Sequence, residues 1–159
     1  ATAQEVLEQV PALAETSDKQ ERYGGLLALR IHEARAASAL DRHAQASAAA
    51  RQALALFADG YAPEFMYLPE LHLVAWRVLD KAGASDEAIA ALKAGTDWIR
   101  GHALPQVPAP FLDSFLNRNP VNREMLAAVA RLQAPTVRLG WPQGAIGAPP
   151  SEETTTDGL

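Results

Sequence analysis

Apolar residues recur along this chain with the 3.6-residue spacing of helices that bury one face. Tyr23, Leu27, Ile31 and Ala34 share one side of a segment running to about Leu40. Ala46, Ala50, Ala53, Leu54 and Phe57 do the same over about 44–57. Leu71, Val74, Val78 and Leu79 give a fourth segment its apolar face, and Ile89, Leu92, Trp98 and Ile99 a fifth. Met125, Leu126, Val129 and Leu132 are the stripe expected to be buried in the last one.

The residues between these stripes punctuate them as helix starts and stops. Thr2-Ala3-Gln4-Glu5 reads as a capping box, opening a first helix over about 3–15 that Pro11 strains or interrupts. Ser17-Asp18-Lys19-Gln20 repeats the pattern and predicts the start of the second helix. Asp41-Arg42-His43 forms a tight turn. Pro69 suits the first residue of the fourth helix, and Gly83 its left-handed end. Asp86 and Glu87 fall in the first turn of the fifth helix, where acids complement the dipole. That helix must end before Pro105, and Pro108 and Pro110 bracket a rigid connection. A short helix is expected over about 111–117, and Asn119-Pro120 opens the last one. About seven helices over 1–132 make one domain. The Pro-, Gly-, Ser- and Thr-rich stretch 133–159, which holds Trp141, reads as a mobile tail.

Composition agrees with helices. Hydrophobic residues make up 48% of the 159, much of it alanine, and aromatics only 6%. Alanine is the best helix former and lets helix axes approach, while β-branched residues are sparse. There is no cysteine, which excludes a disulfide framework and Cys-ligated zinc.

Two of the segments look like copies. Aligning Ala46 with Ala88 sets Asp41-Arg42 against Gly83-Ala84, at a separation of 42 residues that falls within the range of helical-hairpin arrays. Lys81-Ala82-Gly83-Ala84-Ser85-Asp86-Glu87-Ala88-Ile89 is similar to the turn and second helix of a tetratricopeptide repeat. Ala34, Ala46 and Ala53 stand at the crossings of the first copy. The second copy departs, with Trp76 where a small residue is usual and Gly95 where alanine is. The fold class expected is all-α: antiparallel hairpins stacked as a short, right-handed, tetratricopeptide-like superhelix, an α-solenoid.

A further resemblance lies downstream, in Asp97-Trp98-Ile99-Arg100, Ala103-Leu104-Pro105-Gln106-Val107-Pro108 and Phe111-Leu112-Asp113-Ser114-Phe115-Leu116-Asn117-Arg118-Asn119-Pro120-Val121-Asn122-Arg123. With the repeats it covers about residues 20–132. It resembles the C-terminal end of large multidomain bacterial regulators, in which a winged-helix activator or nucleotide-cyclase domain precedes a signalling ATPase and tetratricopeptide-like repeats. The resemblance implies a C-terminal sensor or interaction piece, without the ATPase or DNA-binding activities, whose motifs are missing here. It marks Trp98, Pro105, Pro108, Phe115, Arg118, Asn119, Pro120, Asn122 and Arg123 as family positions.

Charge sharpens this picture. The net charge is −5, yet residues 25–132 balance, with eleven acids and eleven bases. No basic stripe exists to neutralise phosphates, so direct nucleic-acid binding is not expected. No apolar run approaches the roughly 20 residues of a bilayer span, and Ala1-Thr2-Ala3-Gln4-Glu5 does not open as a signal peptide does. The expected location is cytoplasmic.

Catalytic patterns are missing. There is no Gly-x-x-x-x-Gly-Lys loop, Ser114 lacks a nucleophile elbow, and His32-Glu33 is followed by Ala36 where a zinc protease needs its second histidine. His32, His43, His72 and His102 are dispersed and read as surface or capping residues. No enzyme, cofactor or metal is expected.

Candidate contacts lie elsewhere. Arg35 and Arg77 occupy equivalent places in the two hairpins, facing a concave groove near Glu70, Asp80 and Lys81 by analogy with tetratricopeptide repeats. They would meet an acidic segment, or else belong to a solvated face. Arg118, Asn119, Asn122 and Arg123 are an anion or partner contact, or a helix cap with arginines on helix-end carbonyls, Asp113 or Glu124. The leading expectation is a non-catalytic module that binds a protein or a domain of the same chain. A second is a small-ligand sensor with a pocket between the hairpins and the 105–123 segment, lined by Trp98, Phe111 and Phe115. A third is a dimerising module forming a homodimer.

Overall fold

The computed structural model describes residues 2–20, 25–61 and 66–133. The start signals act as their chemistry dictates. The Thr2 amide donates to Glu5 Oε2 at 2.8 Å and the Glu5 amide to Thr2 Oγ1 at 3.2 Å, closing the capping box of α1 (Ala3–Gln20). Asn119 Oδ1 accepts from the amides of Val121 and Asn122 at 3.0 and 3.2 Å, capping α6 (Pro120–Gln133). Between them lie α2 (Gly25–Ala39), α3 (His43–Ala58), α4 (Leu68–Lys81) and α5 (Ser85–Trp98), and no strand occurs among the described residues.

The turns after α2 and α4 repeat bond for bond. Asp41 takes a left-handed φ of 56°, and Gly83, 42 residues on, one of 79°. The Arg42 amide donates to Ala37 O and the Ala84 amide to Leu79 O, both at 2.9 Å. Asp41 donates to Ser38 O at 3.2 Å, and Gly83 to Asp80 O at 3.0 Å. Each is a Schellman turn, which satisfies helix-end carbonyls and reverses the chain. The next helix starts alike, with Ala46 donating to Arg42 O and Ala88 to Ala84 O, both at 2.9 Å.

These turns fold α2 on α3 and α4 on α5; α3 and α2 also pack on α4, and α5 and α4 on α6. Alanines make the first pairing close. Ala34 and Ala37 of α2 and Ala46, Ala49, Ala50 and Ala53 of α3 are all buried. One apolar cluster gathers these with Leu27, Ile31, Leu71 and Leu79. A second holds Leu73, Leu92, Ile99, Met125 and Val129. Trp76, half-buried at a position where a small residue was expected, packs against both.

Several expectations need correction. α1 runs through Pro11 to Gln20, so Ser17 lies inside a helix and does not start one. Extending an existing helix adds a bond per residue, whereas a new start must nucleate, and buried Leu7 and Val10 hold α1 on the body. Tyr23, Trp141 and the stretch 134–159 lie outside the described residues. The fifth α-helix ends at Trp98, before Pro105 as expected, but the helical backbone continues. Below Trp98 it widens to a π-turn, Ile99–Ala103, then tightens to a 3-10 turn, Leu104–Gln106, that accommodates the proline. The short helix expected over 111–117 is present, but with mixed pitch, a 3-10 turn, Ala109–Phe111, passing into a second π-turn, Ser114–Arg118. In α6 the inward positions are Asn122, Met125, Ala128 and Val129, while Leu132 is 52% exposed.

Gly95 marks the closest approach in the second cluster. A Cβ there would lie 2.3 Å from Met125 Cε and 2.7 Å from His72 Cβ, and the latter cannot move without its helix. Gly101 has open space at the same position. Gly95→Ala is expected to lower unfolding free energy by about 1–3 kcal/mol. Gly101→Ala should leave it equal or raise it by up to about 1 kcal/mol. Urea denaturation of the two variants measures the contrast.

Candidate functional site

The axes of α2 and α4 carry the residues that the repeat alignment singled out. Arg35, Arg77 and Lys81 line one groove of about 350 Å³, floored by Val74 and Val78 and edged by Ser38. Glu70 enters it by pairing with Arg35; Asp80 is exposed and does not line it.

Every cation of this groove already holds a carboxylate. Arg35 bonds Glu70, in the first turn of α4. Arg77 meets Glu124 of α6 through Nε, at 2.7 Å to Oε1, and through Nη2 to Oε2. Each equivalent arginine thus ties its own hairpin to the next helix. Lys81 Nζ donates to Asp41 Oδ1 at 2.6 Å and to Ser38 O at 3.2 Å, joining the C-terminal ends of α2 and α4. Its bond and charge hold the Asp41 carboxyl below the usual carboxylate range. On the far side Arg51 of α3 grips Glu87 of α5 at 2.7 and 2.8 Å. That contact lowers the carboxyl pKa and raises that of the guanidinium. All these groups are partly or fully exposed, so water screens their contribution to stability.

Sequence analysis placed Glu70 near the arginines but did not find the tie of Arg77 to Glu124, which belongs to the following helix.

The 105–123 segment forms a different surface. Val107, Phe111, Ser114, Phe115, Arg118 and Asn119 line a cavity of about 440 Å³. Phe111 and Phe115 are there as expected, but Trp98 is not. Its indole stacks on His102 at 6.0 Å and meets Tyr67 edge-on at 5.8 Å. Pro105 and Pro108 are exposed in the turns before the cavity, and Pro120 is the first residue of α6. Arg118 contacts Asp113 at 3.4 Å and Arg123 is exposed, whereas Asn122 is fully buried. Asn122 accepts from Tyr67 Oη at 2.8 Å and donates to Phe115 O at 2.9 Å, bolting the segment to the body. Its place three residues before Met125, on the inward face, was the available signal.

His72 is the other polar residue that spacing misread. It is 6% exposed, edge-on to Phe57 at 5.8 Å, and its Nδ1 finds no partner. Burial pushes its pKa below the ordinary 6.5. His32, His43 and His102 are exposed. Glu33 is buried and receives Arg30 at 2.7 Å and Gln45 at 3.2 Å. Among the described residues no three His, Cys, Asp or Glu side chains form a metal-binding group, and no helix is long and apolar enough to cross a membrane.

The class that fold and surface define is an all-α chain of packed helical hairpins. No protein-family model, no curated protein and no solved structure matches it.

Two buried polar groups set measurable expectations. Asn122→Ala strands Tyr67 Oη and Phe115 O, and should cost about 2–3 kcal/mol in urea denaturation. The unfolded chain protonates His72 more readily than the folded one does. Stability should therefore decline as pH falls below about 6.5, until the folded ring also titrates. His72→Leu should flatten the fall in unfolding free energy between about pH 7 and 5.

Proposed function

We propose that this chain is a non-catalytic, tetratricopeptide-like module that recognises a protein, or another domain of its own chain. On this reading it serves as the C-terminal sensor or scaffold of a larger bacterial signalling or transcriptional regulator. The supporting observation is that α2 and α4 each end in a Schellman turn and lead into a helix that starts with the same bond, 42 residues apart, although a Schellman turn also closes α3 at Gly60. Hairpins stacked with that repeat present their first helices side by side as a rigid recognition face.

The α2–α4 groove is the face that this architecture offers. Its cations are held in place by their own carboxylates yet keep donors free, since a guanidinium has five N–H groups and a bidentate carboxylate uses two. A partner carboxylate or backbone carbonyl can add to the unused donors while an aliphatic side chain covers Val74 and Val78. Binding energy gained there biases an attached switch domain. The alternative, a small-ligand sensor, would have to use the open depression at Val107, Phe111, Phe115 and Arg118, to which no hairpin residue contributes.

A photocrosslinking amino acid placed at Ser38, in the groove, is expected to capture a polypeptide in cells. The same probe at Ala48, exposed on α3, is expected to capture none. Equal capture at the two positions, or turnover of a substrate by the isolated chain, would sink the scaffold reading. A metabolite that raises the melting temperature by several degrees would favour the sensor.

A further inference from the structure

The packed helices begin and end on single ones. α2 folds on α3 and α4 on α5, whereas α1 rests on α2, and α6 on α4 and α5, with no further helix beyond them among the described residues. Each end helix therefore keeps a face turned away from the body. On α1, Leu7 and Val10 are buried, and Glu5, Glu8 and Ala12 follow at spacings of three and four on the exposed side. On α6, Asn122, Met125, Ala128 and Val129 are buried, and Arg123, Ala127, Ala130 and Arg131 make the exposed side.

The two faces carry opposite charge. Glu5 accepts from the Thr2 amide and Glu8 from Gln4 at 2.8 Å, and neither meets a cation among the described residues. Arg123 and Arg131 meet no carboxylate there, and Glu124, the one acid of α6, is taken by Arg77. Contacts inside the chain show what such groups do when they meet. Arg51–Glu87 joins α3 to α5, and Arg77–Glu124 joins α4 to α6. At the ends, each helix holds one half of a pair of that kind. Alanine at 12, 127 and 130 keeps both faces shallow enough for helix axes to approach. Leu13 and Leu132, two of the four exposed large hydrophobic side chains among the described residues, stand on these same helices. Polar outer faces keep the ends of a helical stack soluble, and like charge at both ends would also hold copies apart. Unlike charge at the two ends does the reverse.

We propose that the outer face of α6 in one copy of the chain docks on the outer face of α1 in the next, a head-to-tail contact in which the unmatched arginines meet the unmatched glutamates. Because the two faces differ, every copy keeps a free α1 at one end of an assembly and a free α6 at the other. Growth then continues into an open chain or closes as a ring. One helix pair is smaller than the roughly 800 Å² per partner of a stable complex, so the association is weak and salt-sensitive. It does not depend on the reading of the chain as a recognition module, which uses the α2–α4 groove.

Sedimentation velocity of the full chain over a concentration series tests the contact. Mean mass should rise with concentration, and about 0.5 M salt should return it toward the monomer. Glu8→Lys spoils the α1 face alone, and Arg123→Gln combined with Arg131→Gln the α6 face alone. Each variant should weaken self-association about tenfold. Mixed, the two variants bring one intact face each and should form a dimer and nothing larger. In a symmetric contact one of them would still pair with itself. The three replaced side chains are exposed, so melting temperatures should stay at that of the parent chain. Should Glu8→Lys lower it, Glu8→Gln serves in its place. A photocrosslinking residue at Ala127 should yield a product of twice the mass, joined to α1. A monomer at every concentration, self-association kept by either variant, or a mixture that does not pair would overturn the proposal. So would a crosslink from Ala127 to residues 134–159 of the same molecule.

Discussion

The close approach of α2 and α3 across small side chains is the contact from which the rest of the structure follows. Helix axes draw together to about 8 Å only when the residues between them are small. Ala34, Ala37, Ala46, Ala50 and Ala53 supply that, each almost wholly removed from water. Such tight seating tolerates one relative placement of the pair, and the turn at Asp41 must deliver it. α4 then lies on both helices, filling the space with Leu71, Val74, Ala75, Val78 and Leu79. The groove that holds Arg35 beside Arg77 exists because of this placement. Gly95 carries the same principle to its limit, where even one methyl would meet His72 and Met125.

Much of this was legible in the residues. The Thr2–Glu5 box, the Asn119–Pro120 start, the turns at Asp41 and Gly83 and the stripes of α2 to α5 are local signals. They survive because nothing in the tertiary structure opposes them. Competition explains the failures. Packing of Leu7 and Val10 outweighs the proline inside α1, and Ser17 loses its role as a cap because the helix before it continues. After α5 ends at Trp98, ahead of Pro105 as read, the chain goes on with changed pitch from Ile99, an option that propensity rules do not contain. His72 and Leu132 were misjudged by polarity alone. His72 is enclosed by Phe57 and its neighbours on α5 and α6, Asn122 finds two partners inside, and Leu132 stands beyond the helices that would have covered it.

The candidate surfaces were half legible for a related reason. The equivalence of Arg35 and Arg77 follows from a 42-residue offset and needs no coordinates. Their ties to Glu70 and Glu124 depend on how one hairpin leans on the next, which periodicity does not encode. The 3.4 Å contact of Arg118 with Asp113 likewise depends on how the 105–123 segment folds. Arg35, Arg77, Lys81 and Arg51 bind helices to one another, whereas Arg118 faces outward in the same open surface as the exposed Phe111.

Trp76 bears on how the molecule fails as well as on how it packs. In a linear array of repeats each unit touches only its neighbours, so an end can peel away while the remainder stays folded. Here one indole forms a shared wall between both apolar clusters. Loosening the α5–α6 end strips cover from a side chain that the α2–α3 end also needs, so damage at either pole is felt at the other. Through that shared indole the two clusters are expected to unfold together.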